Sequence, residues 1–163
     1  MARKPRLVLV SCGAAKLPER APAGRMYVGG FHRACRLAAD ALATGPGDEV
    51  MILSGLHGLL RLADEIDPYE SRISVVTRFR VQALANDYGL LGHAVTVLAG
   101  QAYVDEAAHT WPDLSAPLRG CTGIGEMRAR LAAIRKSGSD DPRHWRSPDL
   151  MGNPSRPFSV HNP

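Results

Sequence analysis

No stretch of the 163-residue chain holds enough consecutive apolar residues to span a bilayer, which takes about 20. The opening Met1-Ala2-Arg3-Lys4-Pro5-Arg6 runs into a short apolar strand pattern rather than the longer core of a secretory leader, so a cytoplasmic protein with no membrane partner is expected. Cysteine is scarce. Cys12, Cys35 and Cys121 are odd in number and far apart, which suits neither a disulfide framework nor paired zinc knuckles and predicts reduced thiols. Zinc-ligand spacing and a Walker loop are missing too, so the sequence predicts no metal site and no cofactor.

What remains is ordinary in bulk and uneven in detail. Apolar residues make up 45% of the chain and charged residues 22%, as in a typical soluble domain, and the length suits one domain able to bury a core. The net charge of +4 hides a segregation: residues 1–36 hold eight Lys/Arg against one acid, residues 37–118 four against eleven, and residues 119–136 five against one. Such basic segments favour an anionic partner, a nucleotide or nucleoside phosphate or a nucleic-acid backbone, although a solvated face has the same composition.

Val50-Met51-Ile52-Leu53 is too short and too uniformly apolar for a helix or a half-exposed strand, and reads as a strand buried on both faces of a parallel sheet. Ser54-Gly55-Leu56-His57-Gly58 follows at its C-terminal end, where ligands bind in open α/β sheets. Leu7-Val8-Leu9-Val10 repeats the layout, ending in Ser11-Cys12-Gly13 with Lys16 close behind. Cys12 is either a nucleophile or a small buried residue of the turn; Lys16 supplies positive charge or binds phosphate. His93 to Gly100 forms a third strand, and beyond it Gln101 and Tyr103 either line the same cleft or, for Tyr103, open a helix across 102–110.

Between these strands the pattern predicts helices over 31–43 and 74–88, and a last one running to about Lys136. Alternating strands and helices imply a single α/β domain over 1–136, a three-layer sandwich with a mostly parallel central sheet. An extended or partly disordered tail is expected over 137–163, with Trp145 and Phe158 as anchors. The Pro- and Gly-rich loop 17–29 offers Tyr27 either for stacking or hydrogen bonding to a ligand or for packing the loop onto the core. The acidic segment after His57 offers Asp67 and Glu70, with Pro68 fixing the direction of Asp67 and Tyr69. Gly123 and Gly125 open the last helix with free amides and with Arg128 nearby, a pattern suited to an anion. It is also similar to half of a helix-hairpin-helix, but Pro112 and Pro117 interrupt the helix that should precede it.

Five sets of residues resemble, in order, a family of small and largely uncharacterised bacterial and phage domains. They are Val10-Ser11-Cys12 with Lys16, Ala21-Pro22-Ala23 with Tyr27, Leu53-Ser54 with His57-Gly58-Leu59, Asp67-Pro68-Tyr69, and Pro117-Leu118 with Gly123-Ile124-Gly125, spanning roughly 7–131. The chain departs from the family pattern at Gly55 and Cys121. The family is itself distantly similar to the YaaA peroxide-stress proteins, associated with DNA binding, and to nucleobase-handling domains of tRNA-modifying enzymes; the resemblance implies a shared site.

These features together predict an enzyme acting on a nucleotide, nucleoside or nucleic-acid base, cleaving or exchanging an N-glycosidic bond. That chemistry needs a carboxylate near the sugar and an acid near the base. Asp67 or Glu70 is expected to be the first and His57 the second, with Lys16 and the Gly123 and Gly125 amides on phosphate. Ser11, Cys12, Tyr27, Ser54, Tyr69 and Arg128 are expected to bind substrate. The alternative is a non-catalytic nucleic-acid-binding stress or regulatory protein.

Overall fold

A computed structural model describes residues 3–145, with only the backbone of Trp145, so Phe158 and most of the expected tail lie outside the described residues. In chain order the elements are β1 (Arg6–Ser11), β2 (Ala21–Pro22), α1 (Ala23–Met26), α2 (Gly30–Leu42), β3 (Glu49–Ser54), β4 (Gly58–Arg61), β5 (Glu65–Ile66), α3 (Val75–Asp87), β6 (Ala94–Leu98), α4 (Gln101–Ala108), α5 (Ile124–Ser137) and α6 (Pro142–Trp145). Four strands form an open sheet in the order β4-β3-β1-β6. β1 runs parallel to both neighbours, with Leu9 opposite Met51 and Val97, whereas β4 folds back antiparallel on β3. The sheet is therefore mixed and mostly parallel.

Leu7 to Val10 are completely buried, as the uniform apolar run requires of a central strand. Successive side chains point to opposite faces of a sheet. Val8, Val10 and Ile52 join one apolar cluster with Cys35, Ala38 and Leu42 of α2 and Leu131 and Ile134 of α5. Leu7, Leu9 and Met51 join a second with Val81 and Ala85 of α3, Val104 and Ala107 of α4, and Trp111. Among the described residues no helix is long and apolar enough to cross a membrane.

Two features were not anticipated from the sequence. Leu59-Leu60 continues the central apolar run but reverses direction, because Gly58 takes φ +78°, a left-handed conformation that favours glycine, and so closes a tight β3–β4 hairpin. The loop 17–29 is also ordered. β2 pairs with β5, Ala21 opposite Ile66, while the amides of Ala23 and Gly24 donate to the carbonyls of Asp64 and Leu62. Strands of two residues carry no readable periodicity, yet this pairing brings Tyr27 to Tyr69.

Candidate functional site

Three strand ends deliver the site. β1 ends in Ser11 and leads into Cys12, whose amide donates to the Leu53 carbonyl and extends the β1–β3 pairing by one residue. β3 ends in the fully buried Ser54, and β6 leads through Gly100 into α4, which carries Tyr103. Cys12, Gly13, Ala14, Lys16, Tyr103 and the segment Glu70 to Ile73 line one cleft of about 400 Å³. That volume lies in the range of small-molecule pockets, about 300–1,000 Å³. The segment 71–72 passes directly over Gly55, where an added Cβ would lie 2.7 Å from the Ser71 carbonyl oxygen and the Arg72 carbonyl carbon. Gly55, having no side chain, thus lets the segment carrying Arg72 reach the cleft wall.

Beside the cleft lies a chain of hydroxyls. Tyr69 Oη sits 2.6 Å from Ser54 Oγ and 2.5 Å from Tyr27 Oη, and the His57 backbone N–H donates to Ser54 Oγ at 3.1 Å. Each hydroxyl has one proton to give. Ser54 is sealed from solvent and already accepts from His57, so its proton goes to Tyr69 and that of Tyr69 to Tyr27. Burial pushes the Tyr27 hydroxyl up to about 12 and raises Tyr69 as well, so both stay protonated donors at neutral pH. Lys16 Nζ lies over both rings, 4.8 Å from the centroid of Tyr69 and 5.8 Å from that of Tyr27, a cation–π contact that holds the amine at the cleft. In the wall itself Cys12 Sγ and Tyr103 Oη are 3.2 Å apart, and burial raises the Tyr103 hydroxyl, leaving it a donor to sulfur. Tyr103 therefore lines the cleft rather than only opening its helix.

His57 packs beside the hydroxyl chain and is not among the residues that line the cleft. Its ring packs edge-on against Tyr69, centroids 5.1 Å apart, and neither ring nitrogen has a hydrogen-bond partner among the described residues. Burial, and then the Arg80 guanidinium, hold its pKa below the usual histidine value against the opposing charge of Asp64. That direction favours the neutral imidazole, and among the described residues no carboxylate is hydrogen-bonded to the ring. Asp67 pairs instead with Arg20 at 3.0 Å on the surface, where it is 73% exposed, while Glu70 lines the cleft. Pro68 separates the two acids, and only the second is carried back over the strand ends.

His32 was missed in the sequence because it sits in α2 with the periodicity of a core residue. The Ser11 carbonyl accepts from its Nδ1–H at 2.8 Å, which fixes the tautomer and leaves Nε2 buried with no hydrogen-bond partner among the described residues. Its ring lies 4.9 Å from that of Tyr27, so it packs behind the hydroxyl chain. The signal available was a histidine three residues before Cys35 on the buried stripe of α2. Burial lowers its pKa, so protonation opposes the fold. The linked stability is fully present above the unfolded value near 6.5 and is lost as pH falls through the lower folded value. Thermal unfolding between pH 7.5 and pH 5 should show an acid limb of up to about 1.4 kcal/mol per pH unit from this proton. His32→Asn keeps a donor for Ser11 but cannot take up charge, and should flatten that limb. An equally steep limb in the variant would assign the acid sensitivity to other groups.

The last helix does not reach the cleft. Gly123 caps α5 with no side-chain hydrogen bond to the cap, and the Glu126 carboxylate accepts from the amide and the hydroxyl of Thr122, one residue before the cap, at 2.9 Å. Arg128 points toward Gly30 at the start of α2, and with Arg135 and Lys136 it borders a separate groove against Ala34 and Leu37. Leu118, buried with the α2–α5 cluster, commits the chain to that side before the helix begins. Gly123, Gly125 and Arg128 are therefore not brought together with Cys12, Lys16 and Glu70. Among the described residues no group of three or more His, Cys, Asp or Glu is placed to hold a metal ion.

The fold and site define an α/β domain with a cleft, flanked by a cluster of tyrosines, where its parallel strands end. The chain belongs to DUF6884, a family of unknown function whose pattern matches residues 7–133 and so takes in every residue of that cleft. No curated protein matches it.

Proposed function

We propose that this domain is an enzyme that binds a nucleoside or nucleotide in the cleft and cleaves or exchanges its N-glycosidic bond. The supporting observation is the grouping of Glu70, Lys16, Cys12 and Tyr103 around one cleft of about 400 Å³. In hydrolysis the bond from the anomeric carbon to the base nitrogen breaks and its electron pair leaves with the base. Water adds to the sugar, and its proton ends on the base or in solvent. Glu70 stabilises the cationic sugar, and the Tyr103 hydroxyl, in the cleft wall, turns its proton from the Cys12 sulfur toward the base as charge develops there. Lys16 holds a phosphate. Ser54, Tyr69 and Tyr27 position Lys16 and the strand ends, and His57 braces Tyr69. The frame we infer is a three-layer sandwich, supported by the division of apolar residues into two clusters on alternate strand positions.

Calorimetric titration with nucleosides and their 5′-monophosphates tests the assignment of Lys16. The monophosphates should bind tighter than the nucleosides, and Lys16→Gln should remove roughly a tenfold advantage, about 1.4 kcal/mol. Equal affinity for both ligand classes, unchanged in the variant, would remove phosphate recognition from the proposal.

A further inference from the structure

α3 has one face too many. Thr77, Val81 and Ala85 bury its inner face, yet Val75, Val76 and Phe79 project outward at 54%, 62% and 62% exposure. Leu56, at the tip of the β3–β4 turn, is likewise exposed, and Arg80 donates to its carbonyl oxygen, tying the turn to the helix. An exposed apolar ridge of this kind marks an interaction surface rather than a solvated helix face.

Charge identifies what covers it. Residues 71–86 contain three arginines and no acid. Arg78 is neutralised by Glu106 at 2.9 Å, but Arg72 and Arg80 have no carboxylate partner among the described residues. A second copy of this chain docked by the same face would set arginine against arginine, since a twofold interface pairs a patch with itself. An anionic partner with flat apolar faces meets both features at once. The ridge is also continuous with the cleft, because Arg72 and Ile73 line the cleft wall immediately before α3 begins.

From this juxtaposition we infer that the α3 ridge is a binding platform for single-stranded nucleic acid, with a base stacked on Phe79 and neighbouring phosphates on Arg72 and Arg80, so that the strand runs past the mouth of the cleft. The inference rests on the base-handling reading of the cleft and narrows it: the substrate base is presented on a polynucleotide. Exposed aromatic rings beside cations bind single strands because every base offers a face to stack, whereas a closed duplex hides those faces.

Fluorescence anisotropy with the full chain tests this, using labelled single-stranded DNA of about 12 nucleotides, the matching RNA, and the blunt duplex. Single strands should bind more tightly than duplex, and the DNA and RNA arms identify the preferred sugar. Phe79→Ala should weaken single-strand binding about five- to a hundredfold, and Phe79→Trp should retain it. Arg72→Gln and Arg80→Gln should each reduce the slope of log affinity against log salt by about 0.7. Since Phe79 is largely exposed, its truncation should leave the melting temperature unchanged. Affinity independent of Phe79, or a Phe79-dependent dimer in sedimentation, would overturn the platform. Phe79-dependent binding without any base release would retain the platform and overturn the cleft chemistry. Base release from free nucleosides with no Phe79-dependent strand binding would overturn the platform alone.

Discussion

Tyr69→Phe should cost about 1–3 kcal/mol of stability and lower turnover by about a hundredfold, although it removes a single oxygen. That oxygen is the middle of the hydroxyl chain, accepting from Ser54 at 2.6 Å and donating to Tyr27 at 2.5 Å. Without it the Ser54 proton points at a ring edge inside a site sealed from solvent, and a buried donor left without an acceptor carries the full cost of its desolvation. The loss of activity follows from position. Lys16 rests on the Tyr69 ring, and the turn carrying His57 is braced by Ser54 and by the same ring, so a shift of the ring moves both strand ends. Displacement of about 1 Å suffices for a hundredfold effect on a reaction that depends on alignment. Denaturant unfolding and steady-state kinetics on one preparation check both numbers. An unchanged midpoint would show that the three oxygens are neighbours without being a network.

How much of this was legible beforehand depends on the range of the interaction. β1, β3 and β6 were readable because the middle of a strand buried on both faces is almost continuously apolar, and the polar residues directly after each strand could be assigned to a site by the geometry of parallel sheets. Cys12, Lys16 and Ser54 fall in one neighbourhood on that logic alone, whereas Tyr69 arrives through the β2–β5 pairing. The choice between Asp67 and Glu70 was not readable, since it depends on how Pro68 turns the chain and on the docking of β2 on β5. Nor was the fate of α5. Its glycines present the local pattern of an anion site, but Leu118 anchors the helix on the α2 side, away from the cleft. His32 shows the reverse case. A core-like position hid a polar contact that only the tertiary fold creates.

The second large effect is expected at Glu70. In the proposed reaction the sugar gains positive charge as the base departs, and a carboxylate held in the cleft stabilises that charge more in the transition state than in the bound substrate. Gln fills the same space without the charge. Glu70→Gln should therefore lower kcat by about a thousandfold and leave KM within about threefold, the signature of an interaction made mainly in the transition state. Asp67→Asn should have little effect, because Asp67 is engaged with Arg20 on the surface. A protein that only grips nucleic-acid backbone would lose nothing on neutralising Glu70 and would bind slightly more tightly.

The most direct measurement is the rate at which free base appears, followed by chromatography, when wild type and Glu70→Gln are each incubated with nucleosides, nucleoside monophosphates and single-stranded oligonucleotides at neutral pH. The account predicts that wild type releases a base from at least one of these classes, with one new reducing sugar end per base, and that Glu70→Gln releases it about a thousandfold more slowly while still binding the substrate. Release at equal rates by the two proteins, or binding of these ligands by wild type with no base released from any of them, would contradict it.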